Sequence, residues 1–115
     1  MDEPSAWWIG LRAALSRLAA PAEEQAAYLR DLGVEDLLDE LALEYGDYLL
    51  PTQTELNDDE HARGFLASCR TLDALLNDAQ LGWRAADLDS DAWQRVRGAA
   101  QIALTDLDRI WPTAE

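Results

Sequence analysis

The chain has 115 residues, 49% of them apolar, one cysteine, and a net charge of −14 at pH 7. That length fits a single domain whose core stands without disulfides or metal, and the apolar share argues against disorder in spite of the charge. The charge speaks against nucleic acid and anionic membrane as partners, and a lone Cys69 excludes an internal disulfide, which suits a reducing, cytoplasmic compartment.

The opening Met1-Asp2-Glu3-Pro4 has no positive region, and the apolar run Trp7-Trp8-Ile9 is broken by Arg12, so neither a signal peptide nor a membrane span is expected. From there the periodicity is helical throughout, and no run of alternating or β-branched residues is long enough for a strand. A first helix is predicted over 5–19, with Trp7, Leu11, Ala14, Leu15 and Leu18 on one face and Trp8 at its edge. Pro21 opens a second helix, Glu23 and Glu24 complement its dipole, and Gly33 stops it. A third runs from about Val34 to Leu50 and ends at Pro51; its inner stripe is Val34, Leu37, Leu38, Leu41, Tyr45, Tyr48 and Leu49.

A fourth helix starts at the capping-box-like Asn57-Asp58-Asp59-Glu60 and buries Ala62, Phe65, Cys69, Leu72, Leu76 and Ala79. An irregular connection over 80–88 contains Gly82 and Trp83. The fifth helix is capped by Asp89 or Ser90 and runs to Trp111, lined by Trp93, Val96, Ala100, Ala103, Leu104, Leu107 and Trp111. Amphipathic helices on short links predict an all-α fold: a compact antiparallel bundle of about five helices forming one domain over 1–115.

The charge is unevenly placed. Between Asp31 and Ala62 there are eleven acidic residues and no lysine or arginine, so this stretch supplies −11 of the −14. The rest of the chain sets twelve acids against nine arginines. On the third helix, opposite the inner stripe, lie Asp36, Asp39, Glu40 and Asp47, with Leu43 in their middle and Leu50 two turns further on. Two readings of Leu43 stand side by side. An apolar anchor inside a charged rim has the composition of an interface; alternatively the helix is central and a neighbour buries Leu43. Ile9 and Ile102 also face away from their stripes, which ordinary packing or harmless exposure explains.

No catalytic constellation emerges. His61, the only histidine, falls among Asp58, Asp59 and Glu60, and Cys69 lies on an apolar stripe and reads as core. Glu44 with Asp47, and Glu55 with Asp58, have a Glu-x-x-Asp spacing compatible with a metal. The segment, however, has no lysine or arginine to meet a phosphate, so a magnesium-dependent nucleotide hydrolase is only a third alternative. One histidine cannot supply a di-iron site, and no phosphate loop, EF-hand or nucleophile elbow is present. Catalytic residues, metal ligands and cofactors are therefore all read as none. The arginine pairs Arg95/Arg97 and Arg63/Arg70 would make local basic patches, which the global charge opposes.

Three segments carry a likeness: Ala19-Ala20-Pro21-Ala22-Glu23-Glu24-Gln25 leading into Tyr28-Leu29 and Gly33; Asp39-Glu40-Leu41-Ala42-Leu43-Glu44-Tyr45; and Asp91-Ala92-Trp93. Together they resemble small acidic helical proteins of actinomycete-type genomes, some of which look like immunity proteins encoded beside polymorphic toxins. The resemblance implies a cytoplasmic inhibitor that occludes a cognate toxin, often a basic nuclease, with no catalytic residues to carry over. The residues agree with it. The expectation is a toxin-binding protein, monomeric or weakly dimeric when free, whose partner meets Asp36, Asp39, Glu40, Leu43 and Asp47. A DNA mimic or regulatory adaptor is the alternative.

Overall fold

The computed structural model describes residues 6–34 and 38–110, with side chains from Trp8 onward in the first segment. Among the described residues there are five helices and no strand, and the fold, 82% helical, is an all-α bundle. The helices are α1 (Ala6–Ala19), α2 (Ala22–Asp31), α3 (Asp39–Leu56), α4 (Arg63–Leu76) and α5 (Asp91–Ile110). Short 3₁₀ turns at Glu60–Ala62 and Ala85–Asp89 lead into α4 and α5. No helix among the described residues is long and apolar enough to cross a membrane.

In space, α1 packs against both α3 and α5, and α4 packs against α5. The core is a seam of leucines and aromatics at 3.6-residue spacing. Leu11, Leu15 and Leu18 of α1 are fully covered, as are Phe65, Cys69 and Leu72 of α4 and Trp93, Val96, Ala100, Ala103 and Leu107 of α5. Removing such side chains from water is the main term that holds the bundle together. Close approach helps: the ring of Tyr48 on α3 lies so near Gly10 of α1 that a Cβ at Gly10 would collide with it.

The second helix is attached differently. Buried Gln25 donates from its amide to the carbonyls of Arg17 and Leu18, at 3.0 Å each, in the last turn of α1. Its own oxygen accepts from Arg97 of α5 at 3.1 Å. Nearby, Tyr28 donates to the Glu44 carboxylate of α3, and Arg17 sits 4.5 Å over the Tyr28 ring and 3.5 Å from Glu44. One amide and one aromatic cluster thus fasten α2 to three other helices. At its far end Gly33, with φ of 76°, closes the helix. The Gly33 N–H bonds to the Arg30 carbonyl and the Val34 N–H to the Leu29 carbonyl, both at 2.9 Å.

The structure shifts several predicted boundaries. Val34 is taken up by that closing motif and Leu38 donates its N–H to the Trp83 carbonyl at 3.2 Å, so α3 starts at Asp39 rather than at Val34. At the other end α3 runs straight through Pro51 to Leu56, because Thr52 and Leu56 continue the inner stripe of Leu41, Tyr45 and Leu49 and are both buried. Tyr48, expected on that stripe, is an exposed edge residue instead. Asp59 rather than Asn57 caps the turn before α4, accepting from the His61 N–H at 2.9 Å, and α4 stops at Leu76 with Ala79 exposed beyond it. Ser90 caps α5, accepting from the Trp93 N–H at 3.2 Å. Predicted positions Ser5, Leu37, Asp36, Trp111 and the Trp7 side chain lie outside the described residues.

Pro51 has no N–H to offer the carbonyl four residues back, and a proline inside a helix costs about 3 kcal/mol relative to alanine. Pro51→Ala should therefore stabilise the protein by about 1–3 kcal/mol in urea unfolding with an unchanged m-value. If Pro51 closed the helix instead, the substitution would be neutral or destabilising through the freer unfolded chain.

Candidate functional site

The inner stripe of α3 dictates its outer one. With Leu41, Tyr45, Leu49, Thr52 and Leu56 turned inward, helical geometry points Leu43, Asp47, Leu50 and Thr54 outward. Leu43 is 54% exposed and Leu50 69%, so the reading in which a neighbour covers Leu43 is corrected. No basic residue lies on α3, the only one of the five helices of which this is true. Single exposed leucines are ordinary; two of them one double turn apart, in the most acidic part of the chain, form a ridge.

The acids around the ridge divide by cause. Asp39 and Glu40 fall in the first turn of α3, where a carboxylate stabilises the positive end of the helix dipole. They were expected in mid-helix, and the later start of α3 supplies them with an ordinary structural reason. Glu44 is engaged by Tyr28 and Arg17 and belongs to the fastening of α2. Asp59 is a cap, and Glu60 lies 4.0 Å from Arg63 on open surface, a pair worth little. Asp47 is left: exposed, beside both leucines, with no hydrogen bond or ion pair among the described residues. Asp36 lies outside them.

Beside the ridge the structure opens a groove that the sequence did not announce. It is lined by Asp39, Ala42, Leu43, Tyr45 and Gly46 of α3, by Asp73, Leu76 and Asn77 at the end of α4, and by Trp83, with a volume of about 320 Å³. Two small residues one turn apart, Ala42 and Gly46, keep α3 from filling it; a Cβ on Gly46 would meet nothing within 4 Å. Trp83 is placed by long-range contacts. Its ring meets Trp93 edge to face at 5.7 Å, and the Trp93 indole N–H donates to the Gly82 carbonyl at 2.6 Å.

Asp73 is the unusual group here. It follows Cys69 by one turn, at the edge of the apolar stripe of α4, and burial raises its pKa while the neighbouring Tyr45 hydroxyl pulls it back down. Tyr45 and Cys69 beneath it are driven far from ionisation, the Cys69 thiol up to about 12, chiefly by burial. Cys69 is thus an inert core residue, as its place on the stripe indicated. His61 is exposed on the turn before α4. Among the described residues no three histidine, cysteine, aspartate or glutamate side chains come together to hold a metal. The groove was missed because it needs Trp83 and Asp73 side by side, which only the tertiary structure provides. A local signal did exist in the acid bordering an apolar stripe and in the small pair Ala42 and Gly46.

Ile9 and Ile102 are both exposed, at 60% each. No protein-family model matches this chain, nor does any curated protein or any solved structure. Its function has to be read from its own residues.

Asp73 yields a prediction with a definite sign. Its folded pKa is raised, so the stability it contributes is full at low pH and is lost as pH rises through the folded value. Asp73→Asn should therefore melt higher than the wild type at pH 7, and the gap should close as pH falls below the ordinary aspartate range. A variant that melts lower at pH 7 would mean that the carboxylate is held by a contact stronger than its burial penalty.

Proposed function

We propose that this chain is a stoichiometric inhibitor: an immunity-type protein that docks on a basic toxin domain and covers its active site. The observation that carries this reading is the exposed ridge of Leu43 and Leu50 on the one helix without a basic residue. An apolar anchor is what a protein interface desolvates at its centre, and a charged rim is what keeps the rim soluble and selective. The concentration of charge between Asp31 and Ala62 acts at longer range. Steering of this kind lifts association to about 10⁸–10⁹ M⁻¹s⁻¹ at low salt, from roughly 10⁵–10⁶ without it. An inhibitor that must capture a toxin before it acts in the cytoplasm gains most from speed.

The readings based on catalysis have less support. The Glu44/Asp47 pair that a magnesium site would use has its first member committed to Tyr28 and Arg17. A DNA mimic needs carboxylates displayed like phosphates along one surface. Here Asp39, Glu40 and Asp59 are placed by helix ends, and Glu44 turns toward α2.

The two leucines give the test. In co-expression with a toxin domain that the wild type binds and neutralises, Leu43→Asp combined with Leu50→Asp should abolish the co-purified complex and the protection of the host. The melting temperature of the free variant should stay within about 3 °C of the wild type, as befits exposed positions. A complex that survives both substitutions would remove the ridge from the interface. A collapse in stability would show the leucines to be part of the fold.

A further inference from the structure

The groove beside the ridge has a lining that matches one kind of side chain. Ala42, Leu43, Leu76 and Trp83 make it apolar; Asp39 and Asp73 set two carboxylates into it, and Asn77 an amide. No arginine or lysine lines it. A volume of about 320 Å³ is at the small end of ligand sites, which run from roughly 300 to 1,000 Å³. It has room for one long side chain rather than for a large cofactor. The walls are held before anything binds: Trp83 by its T-shaped contact with Trp93, its carbonyl by the Leu38 N–H, and the preceding Gly82 by the Trp93 indole.

An aromatic ring together with a half-buried carboxylate, Asp73, and an exposed one at the mouth, Asp39, selects among cations. A guanidinium is planar, weakly hydrated, stacks on indole and meets carboxylate oxygens with a fork of N–H donors. An ammonium is compact and strongly hydrated, so it gives up more on entering an apolar groove. A neutral occupant would leave Asp73 as desolvated as before, whereas a cation compensates it.

We propose that this groove takes an arginine side chain of the partner protein, with Asp73 and Asp39 as carboxylate acceptors and Trp83 as the stacking surface. This rests on the reading that the chain binds a basic protein, and it names the group on that partner that reaches in beside Leu43. Gly46 is the natural place to block it. It lines the groove, its Cβ position is open, and a leucine there suits a helix better than glycine does.

The test uses the free protein and a small probe. Titrating ¹⁵N-labelled protein with N-acetyl-arginine methylamide should move the Trp83 indole resonance saturably, with a dissociation constant on the order of 1–10 mM. The citrulline analogue, which is neutral, and N-acetyl-lysine methylamide should bind at least about tenfold more weakly. Asp73→Asn and Gly46→Leu should each weaken the arginine probe by about tenfold or more, with both variants folded. A Trp83 resonance that does not respond, that responds equally to the citrulline analogue, or that responds undiminished in folded Gly46→Leu would overturn the assignment. Those results would leave the ridge reading intact, since it is judged by the complex formed by the Leu43 and Leu50 variants. Probe binding in the groove, together with an intact complex of those variants, would overturn the ridge and keep the groove.

Discussion

The inward stripe of α3 is the constraint on which the rest of this structure turns. Leu41, Tyr45, Leu49, Thr52 and Leu56 are all buried, and their spacing holds one helix together from Asp39 to Leu56 across a proline that would otherwise break it. The gain from covering Thr52 and Leu56 outweighs the hydrogen bond that Pro51 cannot make. Because a helix has fixed angular spacing, the same stripe commits Leu43, Asp47 and Leu50 to solvent. The outer surface is therefore not free to rearrange without unpacking the core.

The electrostatics follow from how the acids are used. Most arginine pairs lie away from α3: Arg12 of α1 pairs with Asp108 of α5 at 2.8 Å, Arg97 of α5 with Gln25 of α2, Arg109 with Asp106 within α5, and Arg63 weakly with Glu60 in the turn before α4. Arg17 reaches across to α3, through Glu44. The segment that carries most of the net charge is thus left with helix dipoles and caps as its main compensation. Helix ends account for Asp39, Glu40 and Asp59, and the α2 fastening accounts for Glu44. Beside the ridge these causes leave over Asp47 next to two bare leucines, and elsewhere a half-buried Asp73 that costs stability when charged. Groups kept at a cost to folding are the ones for which a binding role is worth seeking.

Much of this was legible in the sequence, for identifiable reasons. The stripes of α1, α4 and α5 follow a plain 3.6 period, and Gly33 and Ser90 are local signals that act locally. Leu43 was found because it breaks the pattern of its own helix. The ends of α3 were misread because both are decided at a distance. Leu38 is held by the carbonyl of Trp83, forty-five residues on, and Pro51 is overridden by the burial of residues that follow it. The groove was invisible for the same reason, since Asp73 and Trp83 meet α3 only after the bundle closes. Gln25 gave no sign either: a glutamine on an amphipathic helix looks like surface until the carbonyl ends of α1 arrive beside it.

The central claim is that α3 has an inner face for folding and an outer face, with its adjoining groove, for a partner. Amide hydrogen exchange of the free protein against its purified complex tests this most directly, since it reports each segment in the native molecule. The account predicts new protection over 39–54 and over the 76–83 connection, with the outer face of α5 around Ile102 exchanging as it does in the free protein. Protection centred on α5 around Ile102, or on α1 around Ile9, with 39–54 unchanged, would contradict it.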